Sequence, residues 1–215
     1  HDGDDQRQHG ELADDDADGV INAFRRHAKV PMISLESARE HPCQGLADML
    51  TVQESFGQTQ GVKVVLSWAP HVRPLPKAVP NSVLLHAAAA GCDVTVVHPP
   101  GFELGEAVRA EAQKYAGESG GKIRYSNDQR AAFEGAHVVY AKAWGPEPRA
   151  SEDGIVASPA LRGWMPTLKH FENATEEAIF LHCLPVRRNV EVSDEVLDSE
   201  FARVVDEAEN RMWVQ

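Results

Sequence analysis

Short apolar runs that alternate with helical stretches constrain the fold of this chain more than any other feature. Runs of this length and composition are typical of buried strands. Parallel strands need crossover segments between them, and helical crossovers cover the faces of the sheet. The sequence therefore predicts an α/β fold, a mainly parallel sheet with helices on both faces. The predicted strands are residues 63–68, 93–98, 122–125, 137–141, 178–181 and 202–205.

Helical patterns and turn residues fill the intervals between these strands. A brief extended segment is expected at 30–35 and a long mobile loop at 146–167, which is rich in Gly, Pro and Ser. Gly91 is a normal C-terminal stop for the helix before it. No repeat and no G-x-G-x-x-G occurs, so a dinucleotide site has little support. The predicted helices are residues 20–26, 42–56, 81–90, 106–115, 127–133 and 193–197.

Composition narrows the class of protein. A chain of 215 residues that is 42% apolar can bury one good core. Its net charge of -12 argues against nucleic acid or an anionic membrane as partner, and residues 2–18 hold much of the acid in what is expected to be a solvated tail. Three widely spaced cysteines indicate neither a disulfide framework nor a zinc site. With no signal peptide or membrane-length apolar run, we expect a soluble cytoplasmic protein without cofactor or metal.

Reactive side chains follow the strand predicted at 178–181. His182, Cys183, Leu184 and Pro185 come directly after it, and Pro185 ends the ladder because it has no N–H. Two arginines, at 187 and 188, come next. Ligands of open α/β sheets bind at the carboxyl ends of strands, and adjacent guanidinium groups suit a carboxylate or phosphate. The alternative is a strand end with a buried thiol and two solvated arginines.

A second cluster lies at the start of the helix predicted at 42–56. His41 precedes Pro42, which fits a first helical turn, and Gln44 follows three residues after His41. Both side chains can face one ligand from a helix N-terminus, which favours anions. The alternative is a helix cap with an incidental histidine.

Together these segments resemble the aspartate/ornithine carbamoyltransferase family, whose members carry an HPxQ helix start and an HCLP strand end. Residues 206–211, D-E-A-E-N-R, are similar to the late E-N-R element of the family. The resemblance runs from about residue 30 to residue 215. The proline-rich loop, residues 69–80, and the segment Y-A-K-A-W at 140–144 resemble the N-acetylornithine and N-succinylornithine branch.

The resemblance implies a reaction and a set of roles. A carbamoyl group would pass from carbamoyl phosphate to the side-chain amine of an N-acylated ornithine, giving N-acylcitrulline in arginine biosynthesis. Positioning is expected to supply much of the rate, and covalent catalysis by Cys183 is the minority interpretation. The implied catalytic residues are His41, Gln44, Cys183, Leu184 and Arg211, and the implied substrate-binding residues are Glu36, Lys142, Trp144, Pro185 and Arg187.

Departures from the family pattern leave the acyl group open. Glu36 lies five residues before His41, as in the succinyl branch, and Glu191 stands where the acetyl branch can have lysine. No S-x-R-T-R phosphate motif occurs in the chain. Residues 1–60 are therefore expected to be an acidic leader and linker-helix region, a remnant of the carbamoyl-phosphate domain. Residues 61–215 are expected to be the amino-substrate binding domain.

The family further implies a homotrimer, and its acylornithine branch implies a knot through the proline-rich loop. Three alternatives remain at this point. The chain could be an ordinary ornithine carbamoyltransferase or a non-catalytic α/β binding module. A hydrolase that uses Cys183 and His182 is disfavoured, because adjacent residues of a strand point to opposite faces.

Overall fold

The computed structural model describes residues 18–146 and 159–215 of the chain. Within these residues a five-stranded sheet has the order β3-β2-β1-β4-β5. Every neighbouring pair of strands is parallel, with Lys63 opposite Asp93 in β2 and Val64 opposite Val138 in β4. The predicted α/β class is confirmed. The strands are β1 Lys63–Trp68, β2 Asp93–Val97, β3 Lys122–Ser126, β4 Val138–Lys142 and β5 Ile179–Leu181.

Helices cover both faces of this sheet because both faces are apolar. Val64 and Leu66 of β1 pack in one core cluster with Val52 and Leu84, whereas Val65 packs in the other cluster. Burial on both faces explains why β1, β4 and β5 read as nearly continuous apolar runs. No helix in the described ranges is long and apolar enough to cross a bilayer. The helices are α1 Gly19–His27, α2 Pro42–Phe56, α3 Ala78–Ala89, α4 Glu106–Ser119, α5 Gln129–Ala132, α6 Pro159–Arg162, α7 Leu168–Phe171, α8 Asp194–Leu197 and α9 Val204–Val214.

The prediction of a sixth strand at 202–205 is wrong. Ala202 forms only an isolated bridge with Phe180, and helix α9 begins at Val204. Asp206 and Glu207 lie in the first turn of α9, where carboxylates suit the helix dipole. Packing of α9 against α2 then overrides the strand preference of two consecutive valines.

Other boundaries differ by a few residues. Helix α3 begins at Ala78, three residues earlier than predicted, because Pro80 is tolerated in a first turn where its missing N–H has no intrahelical partner. Residues 30–35 form no strand. The loop expected at 146–167 contains helix α6 and the turn that follows it. Its residues 147–158, like the acidic residues 2–17, lie outside the described ranges.

The proline-rich loop contacts the segment that follows β4. The Gly145 N–H donates to the Leu75 carbonyl at 3.0 Å, and a Cβ on Gly145 would lie 3.0 Å from Pro74 Cβ. Beside this contact, the Trp68 indole N–H donates to the Trp144 carbonyl at 2.9 Å. The loop is therefore fixed against β1 and the end of β4, at the carboxyl edge of the sheet.

Replacing Gly145 tests this contact. We expect Gly145→Val to lower the free energy of unfolding by about 1–3 kcal/mol, because its side chain must displace Pro74 or the loop backbone. Urea unfolding followed by circular dichroism measures the change. The control is Gly117→Ala on the exposed side of α4, where nothing lies within 4 Å and alanine should stabilise by about 0.5–1 kcal/mol. A Gly145→Val midpoint equal to that of the wild type would show that the loop is not held there.

Candidate active site

The carboxyl ends of β1, β4 and β5 meet at one edge of the sheet, and helix α2 begins beside them. Lys142 ends β4 opposite Trp68 of β1, and the chain leaves β5 at His182. His41 precedes Pro42, the first residue of α2, and its backbone N–H donates to Ser82 Oγ of α3 at 2.6 Å. The topology therefore brings the two predicted clusters to the same edge, where ligands of open α/β sheets bind.

The Gln44 side chain joins two motifs that are 167 residues apart in the chain. Its amide nitrogen donates to Asp48 Oδ1 at 2.7 Å and to Glu207 Oε1 at 2.8 Å. Its amide oxygen accepts a hydrogen bond from Arg211 Nη1 at 2.9 Å. Both N–H groups are therefore used inside the protein, and Gln44 can offer a ligand only its oxygen.

His41 lies beside this network as a neutral imidazole. Burial and the charge of Arg211 hold the pKa of His41 below its usual range. Its Nε2 lies 4.0 Å from the Glu36 carboxylate. Its Nδ1 is buried without a hydrogen-bond partner among the described residues. Buried polar atoms are normally paired, so this nitrogen is suited to a ligand.

His182 is a structural histidine with a fixed tautomer. It is fully buried, and its Nδ1 accepts the Leu184 N–H at 3.0 Å, so the proton lies on Nε2, which faces Glu191 Oε1 at 3.4 Å. Burial lowers the pKa of His182, and Lys142 lowers it further. Although burial opposes it, the pKa of Glu191 is lowered by its hydrogen bonds from His182 and from the Arg187 N–H. Glu191 thus shapes the turn after β5.

Cys183 is not an activated nucleophile in this site. Burial raises the pKa of its thiol to about 11, so the reactive thiolate is scarce at neutral pH. The next residue, Leu184, has a φ of 48°, a region that few residues other than glycine adopt. Within the described residues neither the Cys183 nor the Leu184 carbonyl accepts a hydrogen bond. These two acceptors are the groups that the segment offers to a ligand.

Two cations border the site, one of them buried and the other exposed. Lys142 is buried, and its charge acts on His182, Cys183 and Glu191. Arg187 is exposed, its Nε donates to His71 Nε2 of the proline-rich loop at 2.9 Å, and it makes no ion pair with any described residue.

Arg188 behaves differently from its neighbour. Its guanidinium contacts Asp194 at 2.9 Å and Asp198 at 2.7 Å, on the side of α8. Of the two adjacent arginines, only Arg187 is therefore available for an anionic substrate.

The remaining two residues implied by resemblance, Trp144 and Pro185, differ in exposure. Trp144 is 1% exposed and lies in the core, where its indole N–H donates to the Phe102 carbonyl at 2.7 Å. Its indole packs in the core, where burial stabilises an aromatic side chain of this size, and its contact with a substrate stays a prediction. Pro185 is exposed in the turn after β5 and supplies no hydrogen-bond donor.

Sequence reasoning missed Asp48 and Glu207. Both carboxyls are fully buried, and both contact Gln44. Glu207 also accepts hydrogen bonds from the Tyr140 hydroxyl at 3.3 Å and the His182 N–H at 2.7 Å. A signal was present, since Asp48 lies four residues after Gln44 and so shares its helix face.

A comparison with family models identifies the family. Residues 75–215 match the model described as "Aspartate/ornithine carbamoyltransferase, Asp/Orn binding domain". The chain belongs to this family.

Relatives within the carbamoyltransferase family have several substrates in their names. An N-acetylornithine carbamoyltransferase of Xanthomonas campestris is 40% identical, over 94% of this chain and 60% of the relative. An N-succinylornithine carbamoyltransferase of Bacteroides thetaiotaomicron is 39% identical over 89% of this chain and 56% of the relative. An ornithine carbamoyltransferase of Methanocorpusculum labreanum is 34% identical over 91% of this chain and 61% of the relative.

Solved carbamoyltransferase structures share the fold. A crystal structure of N-acetyl-L-ornithine transcarbamylase matches with a TM-score of 0.87 and 38% identity, over 95% of this chain and 63% of that chain. The same named enzyme in complex with acetylcitrulline matches with a TM-score of 0.85 and 38% identity, over 94% and 62%. The chain thus spans about three fifths of the length of these relatives.

Asn210 ties the two helices of the candidate site together. Its side-chain nitrogen donates to Thr51 Oγ1 at 3.0 Å and to Glu54 Oε2 at 2.7 Å, so it fastens α9 to α2. We expect Asn210→Asp to lower the free energy of unfolding by about 1–3 kcal/mol, because it removes both donors and sets a carboxylate beside Glu54. Urea unfolding measures this. The control Glu209→Gln, on the exposed face of α9, should change it by less than about 0.5 kcal/mol. Equal midpoints for the two variants would contradict the role of Asn210.

Proposed function

We propose that this chain is the amino-substrate half of an enzyme that transfers the carbamoyl group of carbamoyl phosphate to the side-chain amine of N-acetylornithine or N-succinylornithine. The products are N-acylcitrulline and phosphate, a step of arginine biosynthesis. The hydrogen bond of 2.9 Å between Gln44 and Arg211, with neutral His41 beside it, carries the proposal. It joins the HPxQ and E-N-R motifs into one unit.

The carbamoyl group would be held by this unit. Arg211 and His41 donate to its carbonyl oxygen, where negative charge develops during attack. The Gln44 oxygen accepts a hydrogen bond from the carbamoyl nitrogen, since both Gln44 N–H groups are already used. The neutral amine attacks the carbonyl carbon, the bond from that carbon to the phosphate oxygen breaks, and the departing phosphate takes up the proton that the amine loses.

The acylornithine would lie between the two cations, Arg187 and Lys142, and the turn after β5. Arg187 and Lys142 bind its α-carboxylate, a group suited to charge-assisted hydrogen bonds. Glu36 and the carbonyls of Cys183 and Leu184 orient the attacking amine. Pro185 shapes the turn, and buried Trp144 supports the proline-rich loop from below.

The proposal extends to the domains, the oligomeric state and the chain topology of the complete enzyme. Residues 61–215 form the amino-substrate domain, and residues 1–60 lead from the carbamoyl-phosphate domain that supplies the phosphate-binding arginines. The complete enzyme is a cytoplasmic homotrimer. The segment after β4 passes through the proline-rich loop as a knot, an idea supported by the contacts of Gly145 with Leu75 and Pro74.

An ordinary ornithine carbamoyltransferase is the second candidate, because the relative from Methanocorpusculum labreanum carries that name. The placement of the proline-rich loop favours the acylated substrate, since its His71 contacts the substrate-binding Arg187. A non-catalytic module is disfavoured by the assembled set of His41, Gln44 and Arg211.

An acceptor assay decides between these functions. With carbamoyl phosphate and the complete enzyme, we expect turnover of N-acetylornithine or N-succinylornithine and little turnover of ornithine, measured as the citrulline product. The 215-residue chain by itself should show no turnover, because it lacks the phosphate-binding S-x-R-T-R motif. Preference for ornithine would favour the second candidate. Turnover by this chain alone at about 1 s⁻¹ or more would show that the chain contains the whole site.

Three arginine variants of the complete enzyme test the assigned roles. Arg211→Ala should lower kcat by about 10²–10³-fold, the usual loss when one donor to a developing oxyanion is removed. Arg187→Ala should chiefly raise KM for the acylornithine, by about 10–100-fold, because a charge-assisted hydrogen bond is lost. Arg188→Ala is the matched control, since its guanidinium is paired with Asp194 and Asp198. Exchanged phenotypes for Arg211 and Arg187 would refute both assignments.

A further inference from the structure

Two buried carboxyl groups meet at a single amide nitrogen. Asp48 and Glu207 are both 0% exposed, and each accepts a hydrogen bond from Gln44 Nε2. One cation, Arg211, lies on the other side of the Gln44 amide. Two buried negative charges on one donor nitrogen would repel each other strongly in a medium of low polarity.

A single proton on the carboxyl pair would remove the charge repulsion and also supply the hydrogen bond that Asp48 lacks. Asp48 Oδ2 is buried and has no partner among the described residues while both carboxyls act only as acceptors. If Asp48 Oδ2 carries a proton, it becomes a donor to Glu207 and one negative charge disappears. Burial raises the pKa of Asp48 to about 7, and burial together with the charge of Asp48 raises that of Glu207 well above its usual range, so the pair holds a proton near neutral pH.

Hydrogen-bond donors decide which carboxyl keeps the charge. Glu207 accepts from Gln44, from the Tyr140 hydroxyl and from the His182 N–H. Asp48 accepts only from Gln44 among the described residues. Donors stabilise the ionised form, so the charge belongs on Glu207, facing Arg211 across the amide, and the proton belongs on Asp48.

We propose that Asp48 and Glu207 are positioning residues that share one proton and thereby lock the Gln44 amide with its oxygen toward Arg211. Ionised Glu207 and protonated Asp48 accept both Gln44 N–H groups, so the amide cannot rotate to present a donor to the ligand. This inference rests on the proposed function for its catalytic consequence, because the locked oxygen is the one that meets the carbamoyl nitrogen.

Isosteric amides test the two positions in opposite ways. In Asp48→Asn, the new oxygen still accepts from Gln44 and the new N–H donates to Glu207, so the variant copies a protonated Asp48. In Glu207→Gln, three donors meet a side chain with one acceptor and one donor. We expect kcat/KM for carbamoyl phosphate within about threefold of the wild type for Asp48→Asn, and a loss of about 10²-fold or more for Glu207→Gln and for Asp48→Leu.

Each other pattern of activities overturns the proposal. Tolerance at position 207 with loss at position 48 would put the proton on Glu207. Tolerance of both amides, or loss with both, would show that no shared proton fixes Gln44. Asp206→Asn, on the exposed face of α9 next to Glu207, is the matched control.

Two further measurements do not depend on catalysis. Infrared difference spectra of the complete enzyme with ¹³C-labelled aspartate should show a protonated carboxyl at neutral pH that Asp48→Asn removes and Asp206→Asn retains. If no such band is present, the shared proton is refuted. If the band is present but no acceptor is carbamoylated, the pair stands and only the proposed function fails.

The pH dependence of folding gives the second measurement. Between about pH 4 and pH 7 the folded state holds a proton on Asp48 that the unfolded chain loses, so this contribution to stability falls as pH rises. Relative to Asp48→Asn, the folding equilibrium constant of the wild type should fall by up to about 10³-fold across that range. The other groups facing the pair are Arg211, Tyr140, Cys183 and His182. A flat ratio would contradict the raised pKa of Asp48.

Discussion

The Gln44 amide is the point on which the candidate site depends. Its three hydrogen bonds reach Asp48 on its own helix and Glu207 and Arg211 on α9, so one side chain fixes the distance and rotation between two helices. The same bonds determine which atom of Gln44 a ligand meets. The packing of α2 on α9 and the orientation of Gln44 toward a ligand therefore depend on the same hydrogen bonds, and a change at any partner of this amide alters both.

Charge in this site is distributed by depth. The cation available to an anionic substrate, Arg187, stands at the exposed rim, whereas the deep carboxyls Asp48 and Glu207 surround a neutral amide. His182 and Cys183 are kept neutral by burial. The neutral His41 and the Arg211 donor beside this amide suit a reaction in which an uncharged amine attacks while negative charge develops on oxygen.

The sheet could be predicted from sequence because β1, β4 and β5 are buried on both faces and each strand has a local signal. The strand expected at 202–205 failed because the packing of α9 on α2, which joins residues 159 positions apart through Thr51 and Asn210, cannot be read from two valines. Motif resemblance found Gln44 and Arg211. It did not find Asp48 and Glu207, because the role of these buried carboxyls depends on contacts between two helices that are distant in sequence. The role of Trp144 stays a prediction, since sequence does not distinguish a core indole from one that lines a pocket.

Glu191 fixes the turn after β5 through its hydrogen bonds. Its carboxylate receives the Arg187 N–H at 2.9 Å and faces His182 Nε2 at 3.4 Å. It thereby positions the backbone of Arg187, and it determines which nitrogen of His182 accepts the Leu184 N–H. Arg187 and Leu184 would bind opposite ends of the acylornithine. They are thus coupled through one buried carboxylate. Under the proposed function, the position of the substrate at this edge would depend on that coupling as much as on the side chains that make the contacts.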